Sequence, residues 1–260
     1  MKRIIYQAIS YQKKEHVAII NINAPAKDQE ELAYLANELS GVCSEITLDK
    51  EIWVMAVTGA GEKVFSMGEE LIAEILKAKE GVGIRLSSIA EPIAELDRPV
   101  IAGISGDAIG QGLELALACD IRIAAKNSHF GLPHIKTGLI PRDGGTQRLS
   151  RLVGRGKAME MILTGEVIDA HEAFRIGLVN KIVSPEELST VVIDMAREIA
   201  SRGPVALRYA KEAIYKGMDL TLDQGLRLEA DLYFLLHTTR DRTEGIEAFR
   251  EKRAPRFKGR

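Results

Sequence analysis

A glutamate follows a glycine-rich turn in the segment Gly110-Gln111-Gly112-Leu113-Glu114. The turn comes after a predicted strand and opens a predicted helix, so its backbone N–H groups lack intrahelical partners and lie at the positive end of the helix dipole. Glycine lets a ligand oxygen approach such a backbone closely. An oxyanion forming there would be stabilised by about 3 kcal/mol per donor, with Glu114 as an acid–base group. The same pattern is also typical of a tight strand–helix turn whose first glutamate only stabilises the helix dipole.

A second site-like segment covers residues 131–149, GLPHIKTGLIPRDGGTQRL. Two prolines and four glycines constrain this loop before a predicted helix. Loops of this kind often carry binding and catalytic groups, and His134 and Asp143 are candidates for a second acid–base group. His134 alone is also compatible with a structural role, and Asp143 with a cap on the helix that begins near Gly145.

The surrounding pattern alternates strands and helices. It predicts a β-hairpin over 4–23, a helix over 28–48 with Asp28 as N-cap, and a strand buried on both faces over 52–59. It also predicts a helix from about 69, another near 83–97, strands over 99–106 and 121–127 with a helix opened by the turn at 109–120 between them, and a strand in LVNKIV. From about residue 185 the pattern is helical only. The shift predicts an α/β core over 1–194 and a helical region over 195–260.

Composition excludes several function classes. The 260 residues carry 35 basic and 37 acidic side chains, a net charge of −2 that offers no broad attraction to nucleic acid or to acidic membranes. No stretch reaches the roughly 20 apolar residues of a membrane span, and the N-terminal residues lack the apolar run of a signal peptide, so we expect a cytoplasmic protein. Cys43 and Cys119 have no metal-ligand spacing and are interpreted as reduced core residues. No metal site is expected.

Several separated motifs occur together in a fixed order and spacing. They are FSMGEEL, PVIAGISGDAIGQGLELALACDIRIAAKNSHFGLPHIKTGLIPRDGGTQRL, MEMILTGEVIDAHEAFRIGLVNKIV and EGIEAFREKRAPRFKG. With this arrangement the chain resembles the crotonase (enoyl-CoA hydratase/isomerase) superfamily over nearly its whole length, most weakly over residues 1–50.

The resemblance implies a crotonase-like spiral of stacked ββα units with a C-terminal helical region used in oligomerisation. It implies a homotrimer or a dimer of trimers, an acyl-CoA substrate, and no cofactor beyond the coenzyme A of that substrate. It also assigns the site: Glu114 as the first acid–base carboxylate, the N–H groups of Glu69 and Gln111 as the oxyanion hole, and Ser66, Gly68, Phe249 and Lys252 as coenzyme A contacts.

Three positions depart from the pattern of the superfamily. His134, after Pro133, stands where its hydratases carry a second glutamate. Gln111 stands where glycine is usual, and Glu69 adds a charge near the acyl entrance. Hydration with two glutamates needs both carboxylates to hold and deprotonate one water, so His134 or Asp143 would have to replace the second one; the ordinary pKa of histidine, about 6.5, suits a general base.

The sequence therefore predicts a hydro-lyase of the enoyl-CoA hydratase type. Because the second glutamate is substituted, three other thioester-enolate reactions stay open: double-bond isomerisation, decarboxylation, and thioester or ring hydrolysis. A non-catalytic protein that binds CoA esters is the alternative of another class.

Overall fold

The computed structural model of this chain describes residues 3–5, 7–23, 29–59, 65 and 88–260. Several sequence predictions fall outside these residues: the Asp28 cap, the helix from residue 69, the first part of the helix near 83–97, and the site residues Ser66, Gly68 and Glu69.

The described residues form short strands and mostly longer helices. The strands are β1 (Arg3–Ile5), β2 (Ile9–Lys14), β3 (Val17–Ile22), β4 (Val54–Gly59), β5 (Val100–Ile104), β6 (Ala108–Ile109), β7 (Ile121–Ala125), β8 (His129–Gly131), β9 (Val167–Asp169) and β10 (Lys181–Val183). The helices are α1 (Gln29–Leu48), α2 (Glu91–Ala94), α3 (Gln111–Ala118), α4 (Gly145–Val153), α5 (Arg155–Thr164), α6 (Ala170–Arg175), α7 (Pro185–Ala200), α8 (Pro204–Gly217), α9 (Leu222–Leu236) and α10 (Arg240–Glu251), with a 3-10 helix at Pro133–Thr137.

The strands build two sheets. The larger has the order β1-β2-β3-β4-β5-β7-β10, antiparallel from β1 to β3 and parallel from β3 onward. The smaller sheet has the order β6-β8-β9. Along the chain, its strands β6 and β8 come a few residues after the ends of β5 and β7. All five residues of β5 are buried, as expected for a parallel strand that is covered on both faces. The mixed α/β architecture predicted from the sequence is confirmed.

Helices cover both faces of the large sheet. On one face α1 and α3 enclose the larger core, which includes Leu35, Leu39, Leu113 and Leu117. On the other face α7 lies so close to β5 that a Cβ on Gly103 would be 2.8 Å from Cγ2 of Val192. Glycine at this position therefore lets the helix and the sheet approach each other closely.

The predicted boundary at 194/195 falls inside α7. This helix is continuous, and its buried face (Leu188, Val192, Ala196 and Ala200) packs on the sheet along its whole length. The last residues of α7 therefore belong to the core, while the division of the chain into two regions stays a prediction. The periodicity of the sequence could not show this, since a helix that covers a sheet and a helix that leaves it have the same period.

The C-terminal helices expose large apolar side chains. Ile214, Met218, Leu222, Tyr233, Phe234 and Phe249 are all more than half exposed. Surface of this kind typically marks an interaction site. The described residues contain no helix that is long and apolar enough to cross a membrane.

Other local predictions are confirmed. The hairpin is β2 and β3 with a turn at Glu15 and His16, and the glycine-rich turn opens α3. Cys43 and Cys119 are free and buried, and burial raises the pKa of each thiol to about 12. The loop predicted over residues 131–149 instead begins with the end of β8 and the 3-10 helix, elements too short to give a periodic pattern.

An arginine that the sequence reasoning did not single out fixes the end of α3. Arg122 is 3% exposed, and its guanidinium donates to the carbonyl oxygens of Leu178 at 2.7 Å and Cys119 at 2.6 Å. A third and longer contact reaches the Ala116 carbonyl at 3.4 Å. Because the last carbonyls of a helix have no intrahelical partner, these bonds complete α3 and hold it against β7.

Candidate active site

The site is built on the start of α3. Gly110 precedes the helix with φ 61° and ψ −125°, a backbone conformation that glycine adopts without strain. Its N–H donates to the Gly131 carbonyl at 2.9 Å, which ties the turn to β8. All eight residues of α3 are buried, so the helix start points into the protein rather than into solvent.

Glu114 is fully buried on this helix. Its Oε1 accepts hydrogen bonds from the backbone N–H groups of Asp143 at 2.6 Å and Gly145 at 2.9 Å. Its Oε2 is buried without a hydrogen-bond partner among the described residues. Burial raises the pKa of Glu114 to about 7, although the two N–H bonds act in the opposite direction. A carboxyl group with one oxygen held and the other available is suited to accept and return a proton near neutral pH.

His134 faces the available oxygen. It lies on the 3-10 helix, is 7% exposed, and has its Nε2 4.0 Å from Oε2 of Glu114. Burial lowers the pKa of His134, partly opposed by the Leu132 carbonyl, so the imidazole is neutral at pH 7. The structure thus brings Glu114 close to His134, the residue at the position of the second glutamate that the resemblance implied.

Asp143 lies in the same loop, but its carboxylate points elsewhere. Oδ1 accepts from the Ser88 hydroxyl at 2.5 Å, and Oδ2 accepts from the N–H groups of Ile89 at 2.9 Å and Ala90 at 3.0 Å. The interpretation of Asp143 as the cap of the following helix is wrong, because Gly144 is the N-cap of α4 and no side chain bonds there. The carboxylate instead holds the segment before α2.

Gly145 allows the loop to approach Glu114. A Cβ at this position would be 2.7 Å from Cβ of Pro141 and 3.0 Å from Oε1 of Glu114. We expect Gly145→Ala to displace the carboxylate and to lower the free energy of unfolding by about 1–3 kcal/mol. Urea unfolding would measure this loss. Gly156→Ala is the control, because a Cβ there meets nothing within 4 Å; equal effects of the two variants would contradict the role of close approach.

The other predicted site residues are less fully placed. Gln111 opens α3 and is 7% exposed, and its side-chain Oε1 is buried without a partner in the described part of the chain. Phe249 lies in the last turn of α10 and is 85% exposed, while Lys252 caps that helix with φ 54° and is also exposed. Their roles as oxyanion-hole and coenzyme A contacts stay predictions.

Among the residues that the structure describes, no three His, Cys, Asp or Glu side chains group in a way that could hold a metal ion.

Comparisons with known proteins agree on one family. A family model described as enoyl-CoA hydratase/isomerase matches residues 12–260. The chain is 40% identical over 255 residues to a crotonyl-CoA hydratase of Syntrophomonas wolfei, covering 97% of this chain and 98% of that one. It is 41% identical over 246 residues to a short-chain-enoyl-CoA hydratase of Clostridium acetobutylicum, covering 93% and 94%.

Solved structures give the same result. An enoyl-CoA hydratase from Bacillus anthracis superposes with a TM-score of 0.91 at 42% identity, covering 98% of this chain and all of that one. The likeness therefore extends over both the α/β core and the C-terminal helices.

Proposed function

Since the chain belongs to the enoyl-CoA hydratase/isomerase family, we propose that it is a hydro-lyase that adds water to, or removes water from, an α,β-unsaturated acyl-CoA. The observation that carries the proposal is the pair formed by Glu114 and His134: a buried carboxylate oxygen without a partner, 4.0 Å from a buried imidazole nitrogen. Relatives of about 40% identity that are named as hydratases support the same reaction.

In this reaction one water molecule bridges the pair. A water oxygen about 2.8 Å from both Oε2 of Glu114 and Nε2 of His134 would form an angle of about 90° with them. In this arrangement one O–H donates to Oε2 and the other to Nε2, with the imidazole proton on Nδ1. A lone pair of the water is then directed away from both groups, toward the β-carbon of the substrate.

Glu114 carries the proton through the reaction. Oε2 takes a proton from the water as its oxygen bonds to the β-carbon, and the electrons of the double bond move to the thioester oxygen. The resulting enolate is held at the start of α3 by the N–H of Gln111 and, following the family, by that of Glu69. Glu114 returns the proton to the α-carbon, so that one water is added to the double bond and Glu114 ends as a carboxylate.

The test is a substrate series. Crotonyl-CoA and branched or cyclic enoyl-CoAs are added to the protein, and the absorbance of the conjugated thioester is followed. We expect the absorbance to fall with at least one of them as the double bond is hydrated. No change with any of them would contradict the proposal.

The pH profile is a second prediction. Hydration needs Glu114 ionised, and burial raises its pKa to about 7. We therefore expect kcat/KM to rise about tenfold per pH unit below pH 7 and to level off above it. His134 adds no further change to this profile above the ordinary pKa of histidine, because burial lowers its pKa. An initial-rate series from pH 5 to 9 measures the profile, and a flat profile over pH 5–7 would contradict the assignment of Glu114.

A second reaction class is favoured by one observation, the imidazole in place of the second carboxylate. Glu114 alone can remove or add a proton at the α-carbon, which is sufficient for isomerisation and for protonating the enolate that decarboxylation leaves. Thioester or ring hydrolysis would also need Glu114 to deprotonate a water that attacks the carbonyl carbon. These reactions predict exchange of the α-hydrogen with deuterium from the solvent, or release of an acid, without hydrated product. Isomerisation through Asp143 is not favoured, because its carboxylate is bonded to residues 88–90.

A non-catalytic role in binding CoA esters is the remaining alternative. It gives no reason for a carboxylate whose pKa burial raises to about 7, since such groups cluster at catalytic sites. We further propose that coenzyme A contacts Ser66, Gly68, Phe249 and Lys252, and that the exposed apolar residues of α8 to α10 assemble the protein into trimers or hexamers in the cytoplasm.

A further inference from the structure

Asp143 is fixed through all three of its polar groups. Its carboxylate accepts bonds from Ser88, Ile89 and Ala90, more than fifty residues earlier in the chain. Its carbonyl oxygen accepts from Nη1 of Arg148 at 2.8 Å. Its N–H donates to Oε1 of Glu114 at 2.6 Å. The residue therefore joins the segment before α2, the helix α4 and the carboxylate of α3.

The loop needs such an anchor at this position. Gly144, with φ 97°, and Gly145 follow directly, and glycines leave a backbone free to adopt other conformations. The two donors to Oε1 belong to residues 143 and 145, on either side of Gly144. Any rotation of the peptide before Asp143 would remove one donor, and Oε2 would then no longer be held toward His134.

We propose that Asp143 is a positioning residue: its side chain locks residues 143–145 against residues 88–90, so that the loop N–H groups hold Oε1 of Glu114 and leave Oε2 directed at the reacting carbons. The effect on turnover rests on the proposed function of Glu114, whereas the effect on Glu114 itself does not.

The charge of Asp143 also affects the pKa of Glu114. Among the described residues, the charged or titratable groups that act on Glu114 are Asp143, Arg142 and His134. The negative charge of Asp143 raises the pKa of Glu114, and Arg142 lowers it. Removal of the charge alone should therefore lower the pKa of Glu114.

Two substitutions separate positioning from direct catalysis. Asp143→Asn can keep the bonds to residues 88–90, with its oxygen accepting from Ile89 and Ala90 and its amide donating to the Ser88 hydroxyl oxygen. Asp143→Ala removes every side-chain bond. We expect Asp143→Asn to keep kcat on the plateau of the pH profile within about threefold, and Asp143→Ala to lose about 10²-fold in kcat with little change in KM.

Two further variants serve as comparisons. Ser88→Ala removes one hydrogen bond to Asp143 and keeps the charge of Asp143. We therefore expect a smaller loss of kcat than in Asp143→Ala, and no change in the part of the pH profile below pH 7. Asp241→Asn is the matched control, because Asp241 is 6% exposed and accepts from the N–H groups of Lys258 and Gly259 in the C-terminal segment. The Asp241→Asn variant should leave both kcat and the pH profile below pH 7 unchanged.

A second readout is independent of the reaction. With carboxyl-¹³C glutamate, the signal lost in Glu114→Gln identifies Glu114, and its titration follows the pKa directly. We expect the midpoint to move to lower pH in Asp143→Asn and to stay in place in Asp241→Asn. If hydration is absent from the wild-type protein, the titration of Glu114 still tests whether Asp143 acts on Glu114, so failure of the two ideas can be told apart.

Several outcomes would overturn the proposal. Equal inactivity of Asp143→Asn and Asp143→Ala, with both folded, would make Asp143 a direct acid–base group. An Asp143→Ala protein that unfolds at a lower temperature but keeps the kcat of its folded fraction would make the side chain merely structural. A Glu114 midpoint that is unshifted in both Asp143→Asn and Asp143→Ala would show that the Asp143 side chain does not act on Glu114.

Discussion

Glu114→Gln should lose roughly 10³-fold or more in kcat while making the folded chain more stable at pH 8. The activity falls because an amide cannot take a proton from water, and general acid–base catalysis contributes about 10²–10⁴-fold. The shape is retained, because the amide oxygen can still accept from the N–H groups of Asp143 and Gly145, as Oε1 does. Loss of activity is therefore not expected to come from misfolding.

The gain in stability follows from the raised pKa. Between pH 4.5 and about 7 the folded chain holds the Glu114 proton and the unfolded chain releases it, so the fold loses stability as pH rises through this window. The loss reaches about 3 kcal/mol above pH 7. Glutamine has no charge to bury, so the gain is present at pH 8 and absent below pH 4.5.

Paired unfolding and rate measurements check this prediction. Urea unfolding of both proteins at pH 5 and pH 8 gives the difference in stability, and the enoyl assay gives kcat. Glu38→Gln is the control, since Glu38 also accepts backbone N–H groups, from Gln7, Ala8 and Ile9 at the other end of the core. Its activity should be unchanged. An active Glu114→Gln protein would support the non-catalytic class, and equal stability at both pH values would contradict the buried charge.

His134→Ala should lower kcat for hydration by about 10²-fold with KM changed less than about threefold. Its Nε2 is the second contact proposed for the water, and without it the water loses its orientation toward the β-carbon. Glu114 remains able to move a proton, so exchange of the α-hydrogen of a saturated acyl-CoA with deuterium should persist. The variant thus separates water activation from proton transfer at the α-carbon.

Hydration rates and exchange followed by proton NMR measure the two effects. His171→Ala is the control, because His171 is exposed on α6, and it should leave both rates unchanged. Equal loss of hydration and exchange would show that His134 supports Glu114 rather than the water. A variant with normal hydration would show that a carboxylate-only mechanism is sufficient.

The large elements were predictable because their residues repeat over many positions. The hairpin, α1, β4, β5 and the buried strand β7 each carry a clear period or an unbroken apolar run. The small sheet was not predicted, because β6 has two residues and β8 and β9 have three each. Such strands form only because neighbouring elements place them, and no local pattern records that.

The site was predictable in its side chains and not in its backbone. The resemblance to the superfamily marked Glu114 and His134 as the two positions that carry acid–base groups. The donors to Oε1 are peptide N–H groups, which every residue except proline has, so no side chain marked them. Ser88 and Arg122 were missed for a related reason: Ser88 bonds to Asp143, 55 residues away along the chain, and Arg122 bonds to Leu178, 56 residues away.

The long separations between the parts of the site have a consequence for the folding order. Residues 88–90, Glu114 and the loop at 143–145 meet only after two long segments of chain have closed, and we expect such contacts to form late in folding. Until they form, Glu114 remains hydrated and titrates like any exposed glutamate. The protonation state of Glu114 therefore reports whether the last of these contacts has formed. Alkaline conditions oppose this step, because the ionised carboxylate of Glu114 must then be removed from water when the loop packs over it.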